Sequence, residues 1–234
     1  MNNTVHYKNE ENYVIITLQN GKANAISYEV IDGLHLALDK AEKEKKIVIL
    51  TGKEGLFSAG YDLKIMTKSS KDAVKLATAG SKLSVRMLSF PTPIIIACSG
   101  HAVAKGAFML LYADYRIGVA GDFKIGLNEV LIGMTMHNAG IAVAKARLAP
   151  VFFERSVNNA EIYSSKDAVT AGFLDKIVPQ EKLMETAIKI AAQFSKLDYK
   201  AHAATKLRVR KPYLDNIEKG IELDKNVEIT FKTS

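Results

Sequence analysis

The chain has 234 residues, 48% of them hydrophobic and 24% charged, with five prolines, a composition that supports one substantial core and excludes a disordered or fibrous protein. No run of 18 apolar residues occurs, and the first residues, Met-Asn-Asn-Thr-Val-His-Tyr, hold no basic stretch leading into an apolar one. Neither membrane spanning nor export is therefore expected, and the cytoplasm is the expected compartment. The formal charge of +7 comes from scattered lysines and arginines apart from residues 208–211, and with no helix-turn-helix, zinc-ligand spacing or interleaved aromatic and basic pattern, nucleic acid is not an expected partner.

Residues 13–18, Tyr-Val-Ile-Ile-Thr-Leu, form a short β-rich run, and Gln-Asn-Gly-Lys at 19–22 is turn chemistry. Ser27 offers an N-cap, after which Val30, Leu34, Leu38 and Ala41 recur at helical spacing until Lys-Glu-Lys-Lys at 43–46 ends the pattern. Ile-Val-Ile-Leu at 47–50 is a continuous apolar run bounded by charge and by Gly52, as expected of a strand buried on both faces. Pro-Ile-Ile-Ile-Ala-Cys at 93–98 is a second, and the helical stretch near 74–88 between them makes the connection a right-handed parallel crossover. The fold class is α/β. Residues 114–120 add a strand, while Leu183, Ala187, Ala191 and Phe194, then Leu214, Ile217 and Ile221, mark two late helices. With no repeat or linker, residues 1–195 read as one core and residues 196–234 as a C-terminal helical extension, expected to act as a lid or subunit contact. Cys98, the single cysteine, ends an apolar run and reads as core packing.

Ligands of parallel sheets bind at the carboxyl ends of strands, which directs attention to the segments after the two buried runs. Residues 57–66 (Phe-Ser-Ala-Gly-Tyr-Asp-Leu-Lys-Ile-Met) and 99–108 (Ser-Gly-His-Ala-Val-Ala-Lys-Gly-Ala-Phe) read as loops rich in small residues. Such loops let a peptide N–H reach a ligand oxygen, as an oxyanion hole requires, and the second runs straight into a helix whose first N–H groups are free. Two readings stand for these small residues: an anion-stabilising turn, or only the tight geometry of a strand-to-helix connection. A nucleotide P-loop is excluded, because Lys105-Gly106 is followed by Ala107.

Five stretches carry a resemblance: Lys-Ala-Asn-Ala-Ile (22–26), Phe-Ser-Ala-Gly-Tyr-Asp-Leu (57–63), residues 99–117 from Ser-Gly-His-Ala to Ala-Asp-Tyr-Arg-Ile, Ile-Gly-Leu-Asn-Glu-Val-Leu-Ile-Gly (125–133), and Ala-Val-Thr-Ala-Gly-Phe-Leu-Asp-Lys-Ile-Val (168–178). In this order and spacing the chain resembles the crotonase superfamily, the enoyl-CoA hydratase/isomerase family, over most of its length. The resemblance implies a core of spiralling ββα repeats and an acyl-coenzyme A thioester as substrate. It also implies homotrimers or dimers of trimers, and no cofactor beyond the coenzyme A that the substrate carries. No metal site is indicated, and His6, His35 and His202 are unclustered.

Carried over residue by residue, the resemblance assigns the thioester oxygen to the main-chain N–H groups of Tyr61 and Lys105. Lys105 stands where the family usually has glycine, and a backbone angle suited to glycine is one that lysine tolerates poorly. Coenzyme A and substrate contacts fall on Lys22, Ala23, Ala59, Asp62, Leu63, Gly106, Phe108 and His137, with Lys22 open to two readings, a phosphate partner or a solvated turn lysine. The family's hydratases hold a water between two glutamates. The later one matches Glu129, which by itself would read as a solvated loop carboxylate; Phe108 occupies the earlier position and can accept neither a proton nor a hydrogen bond. One carboxylate suffices to move a proton, so the resemblance implies a Δ3,Δ2-enoyl-CoA isomerase first, a weak or unusual hydratase second and a catalytically silent CoA-binding protein third, with His137 open to two readings, a substitute polar group or a structural histidine of the pocket wall. His101 is expected to be a packing or hydrogen-bonding residue.

Overall fold

The computed structural model describes residues 3–229. Its elements follow in chain order as β1 (Val5–Asn9), β2 (Tyr13–Leu18), α1 (Tyr28–Lys43), β3 (Ile47–Thr51), β4 (Gly55–Ser58), α2 (Leu63–Met66) and α3 (Ser70–Leu88). Next come β5 (Ile94–Cys98), β6 (Gly100–Val103), α4 (Lys105–Leu110), β7 (Tyr115–Val119), β8 (Ile125–Gly126), a 3-10 turn (Val130–Ile132), α5 (Asn138–Arg147) and α6 (Pro150–Val157). The chain continues with β9 (Ile162–Tyr163), α7 (Ser165–Ala171), β10 (Lys176–Val178), α8 (Leu183–Phe194) and α9 (Tyr199–Asp224).

The larger sheet has the order β1-β2-β3-β5-β7-β10, with β1 antiparallel to β2 and the other neighbours parallel. The smaller sheet runs β4-β6-β8-β9. Each of β3, β5 and β7 is thus followed at once by a short strand of the second sheet and then by helix, which is the expected ββα spiral. The continuous apolar runs have a direct cause. Val48, Leu50, Ile94, Ile96 and Cys98 face α1 and α3, whereas Ile47, Ile49, Ile95 and Ala97 face the opposite way, against Leu183, Ala187 and Ala191 of α8. With both faces covered, alternate residues cannot be polar. Burial pushes the Cys98 thiol up to about 12, consistent with packing and not with a nucleophile.

Helix starts follow local chemistry. Ser27 accepts from the Val30 N–H at the start of α1, and Ser69, which accepts from Asp72 N, opens α3. The C-terminal helix α9 packs on α3 and α5 of its own chain. Lys206 and Arg210 of α9 both reach Asp114, each at 2.7 Å. No helix of the described residues is long and apolar enough to cross a membrane.

Candidate active site

The segments read as two loops are strand-turn-helix passages, β4 into α2 and β6 into α4. After β4 the chain lies against residues 23–26: Ala59 N donates to Ala23 O (3.0 Å), Ile26 N to Gly60 O (2.8 Å) and Asp62 N to Ile26 O (3.1 Å). Ala23 and Ala59, assigned separately to coenzyme A, are therefore hydrogen-bonded neighbours. Asn24 makes the approach possible. It is buried with φ 49°, and its side chain donates to Leu18 O (3.1 Å) and Phe57 O (2.7 Å) while accepting from Asn20 N (2.7 Å).

Gly60, at φ 105°, turns the chain toward the β6-to-α4 turn, where a β-carbon on it would lie 2.9 Å from Ala104 Cβ and 3.5 Å from Lys105 N. The Gly60 main chain and the Lys105 amide thus lie close to each other. Among the described residues, the Tyr61 N–H makes no backbone hydrogen bond, and the Lys105 N–H belongs to the first residue of α4, which has no partner within its own helix. Gly106 lets α4 approach β4, since a β-carbon there would come within 2.3 Å of Ser58 O.

The doubt over Lys105 moves one residue. Lys105 sits in the first helical turn, and the positive φ of 49° (ψ −124°) falls on Ala104. The angle that glycine would favour is borne by alanine, whose single methyl carries the strain.

Glu129, expected on its own to be a solvated carboxylate, is buried at 3% exposure at the start of the 3-10 turn. Its Oε2 has no hydrogen-bond partner. Desolvation raises the carboxyl to about 7, opposed by its own backbone N–H and by the positive charge of Lys105. Its negative charge in turn acts on Tyr61 and Tyr112. A group poised near neutrality and buried with one carboxyl oxygen unpartnered is suited to taking up and returning a proton.

Phe108 on α4 is buried and meets the His137 ring edge-on at 5.6 Å. Burial pushes the His137 imidazole down to about 4, with the charge of Lys105 lowering it further and Asp224 opposing. The ring is neutral at pH 7, with both a donor and an acceptor nitrogen. Gly140 leaves space for this pair, because a β-carbon there would lie 2.6 Å from His137 Cε1 and 2.9 Å from Phe108 Cζ.

The remaining assigned residues lie toward the surface. Lys22 is exposed in a turn whose Gly21 and Lys22 carbonyls accept from Lys53 Nζ, each at 2.7 Å. Asp62 caps α2 by accepting from Lys64 N (2.9 Å), and Leu63 is 61% exposed. His101 Nδ1 accepts from Lys124 N (2.9 Å), and its ring packs on Phe123, as expected of a packing residue. Among the described residues no group of three His, Cys, Asp or Glu is placed to hold a metal ion.

Sequence reasoning missed Asn24, the Tyr61 ring, Tyr112, Asp224 and the side chain of Lys105. Only Lys105 leaves a visible signal, a lone charge in the otherwise apolar stretch from Ala102 to Leu111.

A family model described as enoyl-CoA hydratase/isomerase matches residues 8–234. An enoyl-CoA hydratase/isomerase family protein from Pseudomonas syringae superposes with a TM-score of 0.95 at 55% identity, covering 96% of this chain and 98% of that one. An enoyl-CoA isomerase of Mycobacterium tuberculosis superposes with a TM-score of 0.91 at 36% identity over 96% and 98% of the two chains. A probable enoyl-CoA hydratase of Bacillus subtilis is 31% identical over 77% of this chain and 72% of its own length. The relatives carry both names, and the crotonase resemblance read from five motifs is shown by fold and sequence together: the chain belongs to the enoyl-CoA hydratase/isomerase family.

Proposed function

We propose that this protein is a Δ3,Δ2-enoyl-CoA isomerase in which Glu129 is the single acid–base group. The observation that carries the reading is the buried, unpartnered Glu129 Oε2, combined with Phe108 at the position where a second carboxylate would be needed to hold a water. The ionised Glu129 removes the proton α to the thioester carbonyl of a 3-enoyl-CoA. The C–H electrons form a double bond between the α carbon and the carbonyl carbon while the carbonyl π electrons move onto oxygen, and the dienolate oxygen, conjugated with the retained 3,4 double bond, accepts hydrogen bonds from the Tyr61 and Lys105 main-chain N–H groups. The protonated Glu129 then returns the proton to the γ carbon, restoring the carboxylate and leaving the 2-enoyl product.

Ala23, Ala59, Asp62 and Leu63 form the edge along which coenzyme A lies in this reading, with Lys22 beside its phosphates and Gly106 at the mouth of the oxyanion turn. A trimer or dimer of trimers is part of the same proposal, and sedimentation as a stable monomer would overturn that part.

A hydratase is the second reading, favoured by the neutral His137 ring against Phe108, which offers a lone pair where the second glutamate is missing. Incubation with a 3-enoyl-CoA and separately with crotonyl-CoA, following each product, decides between them. Double-bond migration faster than hydration supports the isomerase, and fast hydration with negligible migration reverses the order. Tight CoA binding by calorimetry with no turnover of any thioester would instead support a silent binding protein. Glu129→Gln is expected to lower turnover at least about a hundredfold.

A further inference from the structure

The Lys105 side chain is a fully buried amine with no carboxylate within salt-bridge distance among the described residues. Its Nζ donates to Gly80 O at 2.7 Å and to the Tyr112 hydroxyl at 2.8 Å, and lies 5.4 Å from the Tyr61 ring centre and 4.8 Å from that of Tyr112. Burying such a group is costly, and an apolar side chain of similar length would fill the same volume without that cost. Retention of the amine calls for a role.

Gly80 indicates one. A β-carbon on Gly80 would come within 2.0 Å of the Tyr61 hydroxyl, so one turn of α3 receives both the Tyr61 phenol and the Lys105 amine. These are the side chains of the two residues whose main-chain N–H groups are read as the oxyanion donors. The second indication is charge. Glu129 and Lys105, both buried, act on each other with opposite sign.

We propose that the Lys105 side chain is a positioning residue of this site: bonded to Gly80 O and set against the Tyr61 and Tyr112 rings, it anchors both main-chain donors to the Gly80 turn of α3. The proposal rests on the reading of Tyr61 and Lys105 as oxyanion donors; the opposite charges of Lys105 and Glu129 supply a titration readout that does not depend on which reaction follows.

The groups around Lys105 restrict what else titrates. From α3 come Gly80 O and Ser84, the latter bonded to Tyr112. The phenols of Tyr61 and Tyr112 are pushed up by burial and stay neutral. His137 is pushed down to about 4 and is neutral above that, while Asp224 acts on both Tyr61 and His137. Lys105, which burial lowers to about 7, and Glu129 are left as the pair that changes charge near neutrality.

The test is an NMR titration of the full-length protein carrying labelled lysine side-chain and glutamate carboxyl groups, in wild type, Glu129→Gln, Lys105→Met and Tyr112→Phe. Because coupling between two sites is reciprocal, Glu129→Gln lowers the Lys105 midpoint by at least about half a pH unit, and Lys105→Met raises the Glu129 midpoint by a similar amount. Tyr112→Phe keeps the charge and leaves the Glu129 midpoint in place. A Lys105 midpoint that does not move in the isosteric Glu129→Gln protein places Lys105 outside the site and overturns the proposal, whether or not Lys105→Met folds.

In turnover of a 3-enoyl-CoA, Lys105→Met is expected to lower kcat about tenfold and to move the acid limb of the pH profile upward. A loss of thermal stability with an unmoved acid limb would reduce Lys105 to a structural residue. If Glu129→Gln keeps full turnover, the acid–base reading falls, and the NMR coupling still decides whether Lys105 belongs to the site.

Discussion

Asp224, the last residue of α9, closes the N-terminus of α5: its carboxylate accepts from Asn138 N (2.7 Å), Asn138 Nδ2 (2.8 Å) and Ala139 N (2.9 Å). The C-terminal helix thereby holds the turn that carries His137, the ring packed on Phe108. Asp224→Ala leaves two main-chain donors at this helix start without their acceptor. It is expected to cost about 1–2 kcal/mol, seen as a lower urea midpoint at unchanged m-value.

Asp114 lies between two α9 cations and the edge of β5, accepting from Lys206 Nζ, Arg210 Nη2 and Ile94 N. All three charged side chains are at most 10% exposed. Asp114→Asn strands two buried cations and is expected to destabilise by about 3–5 kcal/mol. Adding Lys206→Met should recover part of that loss, and a double-mutant cycle in urea measures how much.

In the proposed isomerisation, proton transfer by Glu129 requires its ionised form. With the carboxyl near 7, kcat/KM for isomerisation is expected to rise tenfold per pH unit below about 7 and to level off above it. A limb near the ordinary glutamate value, about 4.3, would contradict the burial described.

The same group makes stability depend on pH. Folding raises the Glu129 carboxyl from 4.5 to about 7, so between these values the native protein holds a proton that the unfolded chain has released, and this contribution falls as pH rises through the window. Glu129→Gln removes the dependence. Its stability relative to wild type is expected to improve from pH 5 to pH 8 by up to roughly 3 kcal/mol, a figure set by the size of the shift. Parallel urea denaturation series of the two proteins test this.

Ala104 holds φ 49° and ψ −124° directly before α4. Ala104→Gly relieves that strain at the expense of greater freedom in the unfolded chain, and a net gain of about 1 kcal/mol is expected. A loss on denaturation would mean that the alanine methyl packs more favourably than its backbone is strained.

Secondary structure was legible where burial imposes a pattern. The apolar runs at 47–50 and 93–98 are strands because both faces are covered, and the spacing of Val30, Leu34, Leu38 and Ala41 is that of a helix with one buried side. The strands of the smaller sheet were not legible. β6 is Gly-His-Ala-Val and β8 only Ile-Gly, too short and too rich in small residues for an alternation to show, and their pairing is a product of the tertiary spiral.

Motif order in the sequence by itself determined the family, and the resemblance it carries assigned Glu129 and Phe108 to the positions of the family's two carboxylates. Those facts depend only on which residues stand where along the chain. Tertiary structure alone decided that Glu129 is buried with its Oε2 unpartnered, that the positive φ falls on Ala104 and not Lys105, and that the Lys105 amine meets Gly80, 25 residues earlier in the chain. Desolvation, backbone strain and long-range charge depend on which segments are brought together in space, and that is set by folding.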